Sequence, residues 1–528
     1  MTFRTLYTFL ILAYLSLVGN LQFFQHLNER TPDFGSGFVL TAFFYCLLML
    51  ILATFVVFIK HEKVFLISLT LLSITVASLS YFINELGVVI DETMILNLAE
   101  TIKDNNTQEA SELMSLAMVR HWLLLNLPLI AFFIFLKWKK PQLIYKRKHG
   151  AWVWGGLFLS VVVITALNFK YVTYFGRENR DLRVYINPVF PVISFKQYIK
   201  HHWIPKKPFT ELAHDATREP KDKPLLGIII VGETARSDHF AINGYGQPTT
   251  PNLSQEDIIN FSPAVACGTS TAHSVPCMFS LKDREHFDTS NGDNETNLLD
   301  VLAKTGVEVH WIDNNSSCKE VCNRVGYSNM FKHPNEQSPY YHDGNLYDEA
   351  MLAKLMVTLS KDPLHDKLIV LHGMGSHGPA YHRRYPKEEE YFTPTCQSDS
   401  PQDCTDEEVI NAYDNTIRYT DKVIAEVLDI LKASSQSNRF LLYVSDHGES
   451  LGENGVYLHG MPYWMAPEAQ TRVPLLFWLS DDLKSTVEAN RELQAPPSHD
   501  HITHTLLSLY GVSTIRLKPE LSLLKLRS

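Results

Sequence analysis

The sequence predicts an N-terminal α-helical transmembrane bundle joined to a C-terminal α/β/α domain. Three observations carry this. Uncharged apolar stretches crowd the first 170 residues. Strand-like and helix-like segments alternate after residue 223. Six of the seven cysteines fall in that second part.

The apolar stretches are residues 6–24, 36–59, 64–84, 121–136 and 151–169. A run of about 17–25 apolar residues matches the hydrocarbon core of a bilayer. The fourth is shorter and carries Pro128. The first lacks a small-x-small cleavage site and is followed by further spans, so it reads as a retained helix rather than a signal peptide. Loop charge sets the orientation. Lys137, Lys139, Lys140, Lys146, Arg147 and Lys148 lie between the fourth and fifth stretches with no acid among them. That loop belongs in the cytoplasm, as does the loop with Lys60 and Lys63. The loop 85–120 is mostly acidic and belongs on the far side. Five crossings from a cytoplasmic N-terminus then place everything after Lys170 outside the cytoplasm.

Cysteine usage tests this independently. Cys46 lies inside the second stretch. Cys267 and Cys277, Cys318 and Cys322, and Cys396 and Cys404 form close sequence pairs in the exported part. An even count there implies disulfides, with nearest neighbours the simplest pairing and other connectivities still open. Zinc ligation by these cysteines is the rival reading, and no CxxC spacing supports it. The net charge of -10 argues against a nucleic-acid partner.

The chain therefore divides into a five-span transmembrane domain (1–170), an amphipathic membrane-surface linker (171–222) and an exported soluble domain (223–528). The loop 85–120 carries its own helical pattern in Met94, Ile95, Leu98 and Ile102. In the last domain, 225–231, 307–312, 368–372 and 440–444 are continuous apolar runs of strand length, as expected for strands buried on both faces. Helical patterns at 297–304, 346–359 and 409–431 alternate with them. Such alternation predicts a largely parallel sheet, with ligands bound beyond the carboxyl ends of its strands.

Two of those ends carry metal-type residues. One strand runs into Gly232-Glu233-Thr234-Ala235-Arg236, another into Ser445-Asp446-His447-Gly448-Glu449. Glu, Asp and His together suit zinc, and fewer than four protein ligands leave room for a reactive oxygen. Between them lies a hydroxyl-rich loop, Cys267-Gly268-Thr269-Ser270-Thr271-Ala272-His273-Ser274, which leads into a helix-like segment. Backbone N–H groups at a helix N-terminus hold phosphate. Zinc lowers the pKa of bound water from about 15.7 to about 7 and would activate a threonine hydroxyl in the same way. His377, in Ser376-His377-Gly378-Pro379, and His459, in Leu458-His459-Gly460, can hold a second metal or protonate a leaving oxygen. Each of these residues alone reads more simply as a turn or loop residue. Their ordered occurrence in one α/β domain is what points to a site.

Gly232–His239 followed by Asn243-Gly244-Tyr245, the segment 267–280, Ser376–Pro379 and Ser445–Glu453 together resemble the phosphoethanolamine transferases that modify lipid A, the family that includes the mobile colistin-resistance enzymes. The resemblance covers essentially the whole chain and implies an alkaline phosphatase/sulfatase-type fold. It implies that Thr271 is the nucleophile and that Glu233, Asp446 and His447, with Thr271, bind one tight zinc. It implies that His377 and His459 hold a second zinc or the substrate phosphate, and that Asn315 and Lys319 lie near the ethanolamine phosphate. Asn97 and Thr101 match polar residues of the periplasmic loop, with Glu109 as a third. The segment around Asn187-Pro188 resembles the lipid A-modifying branch. The implied donor is phosphatidylethanolamine and the implied acceptor lipid A of lipopolysaccharide, used by a membrane-embedded monomer. The product surface gains an amine and repels polymyxin.

Three alternatives stay open. Transfer onto Kdo or heptose uses the same motifs. A phosphatase, sulfatase or phosphoglycerol transferase shares the fold, although Val275-Pro276-Cys277 does not give the C/S-x-P-x-R order a sulfatase needs. A non-enzymatic membrane sensor has no use for an intact Glu233, Thr271, Asp446 and His447.

Overall fold

The computed structural model describes residues 2–31, 34–103, 115–202, 208–219, 223–289, 292, 294–331, 334, 337–342, 345–360, 365–434, 438–493 and 495–527. The chain forms two compact units. One comprises residues 1–92 and 114–197, the other 93–113 and 198–528. Residues 171–197 thus group with the helical unit, and 198–222 with the α/β unit.

The helical unit contains α1 (Phe3–Val18), α2 (Leu21–Glu29), α3 (Phe34–Val56), α4 (Glu62–Glu85), α6 (Leu116–Lys139) and α7 (Arg147–Leu167). Four of these helices are long and apolar enough to cross a membrane, and α1 with α2 forms a fifth such segment bent by 54°. Pro128 sits within α6 without ending it. The bend falls at Gly19-Asn20, where sequence reading expects one continuous helix. A Cβ on Gly19 would lie 2.6 Å from a Val76 methyl, so α4 approaches too closely for any larger residue. The amide of Asn20 donates to Ser16 O (3.2 Å), and its oxygen accepts the Asn187 N–H (2.8 Å). Asn187 in turn donates to Gly19 O and Val76 O. Both asparagines are fully buried. Their amides satisfy the carbonyls the bend frees, which in an apolar setting are costly to leave unpaired. Two further helices, α8 (Phe169–Glu178) and α9 (Val189–His202), occupy the segment expected as a surface linker.

In the α/β unit a seven-stranded sheet is built from β1 (Leu225–Gly232), β2 (Ile258–Asn260), β3 (Glu308–Asp313), β4 (Gly326–Asn329), β5 (Lys367–His372), β6 (Asn438–Ser445) and β7 (Leu475–Leu479), in the order β2-β7-β6-β1-β5-β3-β4. The run from β6 to β4 is parallel, and β7 and β2 add an antiparallel edge. Alternation along β1 explains its unbroken apolar sequence. Ile228 and Ile230 enter one core with helices α12 (Ala350–Leu359) and α13 (Asp406–Ala433). Ile229 and Val231 enter the other, with α10 (Thr271–Met278), α11 (Leu298–Lys304) and α14 (Asp500–Leu509). Helices therefore cover both faces and the α/β/α architecture holds. Helix α5 (Glu92–Lys103) supplies residues 93–103 to this unit, although its sequence lies between two apolar helices.

Candidate active site

Four neighbouring parallel strands deliver the site. In register, Ser445 of β6 pairs with Gly232 of β1, so Asp446 and Glu233 leave the sheet side by side. Val231 pairs with His372 at the end of β5, and His372 with Asp313 at the end of β3. The loops that follow carry His377 and Asn315. The chain turns sharply after Glu233, with Thr234 in a left-handed conformation (φ 54°). Tyr413 holds that turn. Its hydroxyl donates to Thr234 O (2.7 Å) and accepts the Arg236 N–H (2.8 Å). Gly375, also left-handed, lies against the Glu233 backbone, where a Cβ would come within 2.9 Å of it. Only glycine fits both demands.

Thr271 is the first residue of α10. Its Oγ1 lies 3.0 and 3.1 Å from the Glu233 carboxylate oxygens and 3.3 Å from His447 Nε2. Glu233, Asp446 and His447 are fully buried, and their ligand atoms lie within 4.8 Å of one another. His447 Nδ1 donates to Gly448 O (2.9 Å), which leaves Nε2 directed at the carboxylates. Among the described residues, Asp446 Oδ2 is buried without a hydrogen-bond partner. Such an orphan signals a ligand still to be accommodated.

Electrostatics agrees. Burial and the Glu233 charge push the Asp446 carboxyl up to about 6. Burial opposes the charge of His447, yet Asp446 and Glu233 raise it to about 10. Burial likewise opposes ionisation of Glu233, but the hydrogen bond and charge of His447 hold it below the usual carboxylate range. A proton on His447 thus stands where a divalent cation would balance two carboxylates. The donor set of two carboxylates, one imidazole and one hydroxyl can hold a metal ion.

His459 and His377 flank this group. The His459 ring centroid is 4.4 Å from that of His447 and 5.5 Å from that of His377. Burial pushes His377 down to about 3. His459 Nδ1 donates to Glu449 Oε2 (2.7 Å), and Glu449 Oε1 accepts the Tyr381 hydroxyl (2.7 Å). Asn315 Nδ2 donates to Glu233 Oε2 (2.9 Å). Lys319 lies farther out, with Nζ 2.8 Å from Ser316 Oγ. The predicted pairs Cys267–Cys277, Cys318–Cys322 and Cys396–Cys404 are disulfides, and the first closes the loop bearing Thr271.

Asn97 and Thr101 lie on α5, where Thr101 Oγ1 donates to Asn97 O (2.9 Å). The described ion pairs from α5 to the loop after β3 run through their neighbours. Glu100 meets Lys319 at 3.3 Å and Lys103 meets Glu320 at 3.2 Å. Glu109 lies outside the described residues. Sequence reading gave no role to Glu449, Glu100 or Asp348. Asp348 accepts from Asn314 Nδ2 and from the N–H groups of Met374 and Gly375. Glu449 stands inside a recognised motif and Glu100 one turn from Asn97, so position alone could have flagged them.

Comparison with known proteins places the chain. A family model described as phosphoethanolamine transferase EptA/EptB matches residues 44–203, and the sulfatase model matches 226–512. Phosphoethanolamine transferase EptA of Salmonella typhimurium is 37% identical over 462 residues, 83% of this chain and 81% of its own. Phosphatidylethanolamine transferase Mcr-2 of Escherichia coli is 36% identical over 96% of this chain and 95% of its own. The integral membrane lipooligosaccharide phosphoethanolamine transferase A of Neisseria meningitidis superposes with a TM-score of 0.86 over 98% of each chain, at 30% identity.

Proposed function

The chain belongs to the phosphoethanolamine transferase family, and from that premise we propose that it moves phosphoethanolamine from phosphatidylethanolamine to a lipid A phosphate through a Thr271 ester, with zinc as its metal. It is a multi-pass inner-membrane protein with a periplasmic catalytic domain. The observation that carries the reading is Thr271 Oγ1 at a helix N-terminus, within 3.3 Å of both Glu233 and His447.

Zinc held by Glu233, Asp446 and His447, with Thr271, would acidify the threonine hydroxyl and offset phosphate charge. Thr271 Oγ1 attacks the donor phosphorus. The new O–P bond forms as the bond to the diacylglycerol oxygen breaks, and diacylglycerol leaves with the proton Thr271 gave up. N–H groups at the start of α10 hold the phosphate oxygens. His459, its ring fixed through Nδ1 by Glu449, presents Nε2 to the same phosphate or to a second zinc, with His377 beside it. Asn315 and Lys319 steady the ethanolamine phosphate, and Asn97 and Thr101 of the periplasmic loop approach it. An acceptor phosphate oxygen then attacks the ester and Thr271 recovers its hydroxyl. Catalysis is mainly positioning and charge stabilisation.

In this reading residues 1–170 embed a monomer in the bilayer, 171–222 lie at its surface and 223–528 carry the chemistry. The modified lipopolysaccharide is less anionic and binds polymyxin less. Detergent-purified full-length protein given labelled phosphatidylethanolamine should release diacylglycerol and carry phosphoethanolamine on Thr271. Thr271→Ala should do neither while still folding. Mass spectrometry of lipopolysaccharide from expressing cells should find the adduct on lipid A. An adduct confined to core sugars would overturn that acceptor.

A further inference from the structure

The loop bearing Thr271 and the strand bearing Asp446 are joined by a side chain from near the C-terminus. His499 is buried at 1% exposure, beside the first turn of α14. Its Nδ1 accepts the backbone N–H of Cys267 (3.0 Å), the residue whose disulfide closes the Thr271 loop. Its Nε2 lies 2.9 Å from the carbonyl oxygen of Ser445, the residue preceding Asp446. An N–H pointing into Nδ1 leaves only Nε2 to carry the proton, so the ring is a single tautomer with one accepting and one donating end.

The surroundings make the ring rigid. The backbone N–H of His499 donates to Val265 O (3.0 Å), and Val265 N–H donates to Pro497 O (2.8 Å), so the segment before α14 is laced to the start of the Thr271 loop. Ser445 is itself a hub. Its Oγ accepts the Ala235 N–H (2.8 Å) and donates to His447 O (2.9 Å). Holding its carbonyl therefore bears on the turns that present both Glu233 and His447. Two loops that must meet within hydrogen-bond distance come from distant parts of the sequence, and small misplacements of reacting groups are costly.

We propose that His499 is a positioning residue with two separable ends, the Nδ1 end setting the Thr271 loop and the Nε2 end setting the metal-bearing strand end. The inference rests on the transfer reading above. Asparagine can place an oxygen near Nδ1 but has no atom at Nε2, whereas glutamine can place an N–H near Nε2 and leaves Nδ1 empty. The two variants cut the strut at opposite ends.

The test uses full-length protein in detergent. Zinc affinity is measured by competition with a chromophoric chelator, and Thr271 adduct formation from phosphatidylethanolamine is measured separately at saturating zinc. His499→Asn should weaken zinc binding at least tenfold and leave adduct formation within about threefold. His499→Gln should leave zinc binding within about threefold and slow adduct formation at least tenfold. Both variants moving both readouts together, moving neither, or both failing to fold would overturn the strut. Wild-type protein that binds zinc but forms no adduct would sink the transfer reading itself and this inference with it.

Discussion

The ammonium of Lys319 lies 3.3 Å from the carboxylate of Glu100, a residue from the helix between two apolar spans. One turn along, Lys103 meets Glu320 at 3.2 Å. Lys319 and Glu320 are both left-handed (φ 48° and 69°), in a turn closed by Cys318–Cys322. The disulfide-held turn thus presents two opposite charges in sequence, and α5 answers each with its complement.

The two pairs should differ in weight. The Lys319 side chain is 7% exposed and that of Glu100 20%, whereas Lys103 is 67% exposed. Glu100→Gln takes a counter-charge from a nearly buried cation, a cost of about 1–3 kcal/mol. Diacylglycerol release should fall about tenfold. Lys103→Gln removes a surface pair worth under about 1 kcal/mol, and release should stay within about twofold.

Metal affinity should rise with pH. Without metal the His447 imidazole keeps its proton up to about 10, and Asp446 gains one below about 6. A metal must displace these protons. Zinc affinity should climb about tenfold per pH unit between 6 and 10, and more steeply below 6. Both groups are shifted up relative to the unfolded chain, so the metal-free protein should lose stability as pH rises through these values. Calorimetry in buffers of different ionisation enthalpy should find about one proton released per zinc near pH 8. No proton release there would refute the assignment.

Glu449 should act through His459. Its Oε2 fixes the ring through Nδ1, and such partners are worth about 10–100-fold in metal affinity or activity. Glu449→Gln should reduce transfer by that amount while affinity at the Glu233–Asp446–His447 centre stays within about threefold, as measured by chelator competition.

Opening the Thr271 loop should cost both stability and rate. For the loop Cys267–Cys277 closes, the chain-entropy contribution is about 3 kcal/mol. Cys267→Ser with Cys277→Ser should lower the thermal midpoint and slow adduct formation at least tenfold. An unchanged adduct rate would show that the bridge does not shape the nucleophile's approach.

The parts legible in sequence were those with a local signature. Buried parallel strands read as apolar runs, so the carboxyl ends bearing Glu233 and Asp446 could be found, and their adjacency followed once β1 and β6 paired. The bend at Asn20 was not legible, because its hydrogen-bond partner Asn187 lies far along the chain. His499 gave no sign either, since its ring contacts exist only after the sheet and α10 have come together. Side chains that speak to distant backbone leave no periodicity to read.

The pairing of β1 with β6 has a consequence for biosynthesis. Thr234 N–H bonds to Asp446 across 212 positions of chain. A ribosome must therefore finish most of the polypeptide before the Glu233–Asp446–His447 cluster can assemble. A product stalled between Thr271 and Asp446 carries the hydroxyl but lacks the Asp446–His447 half of its surroundings.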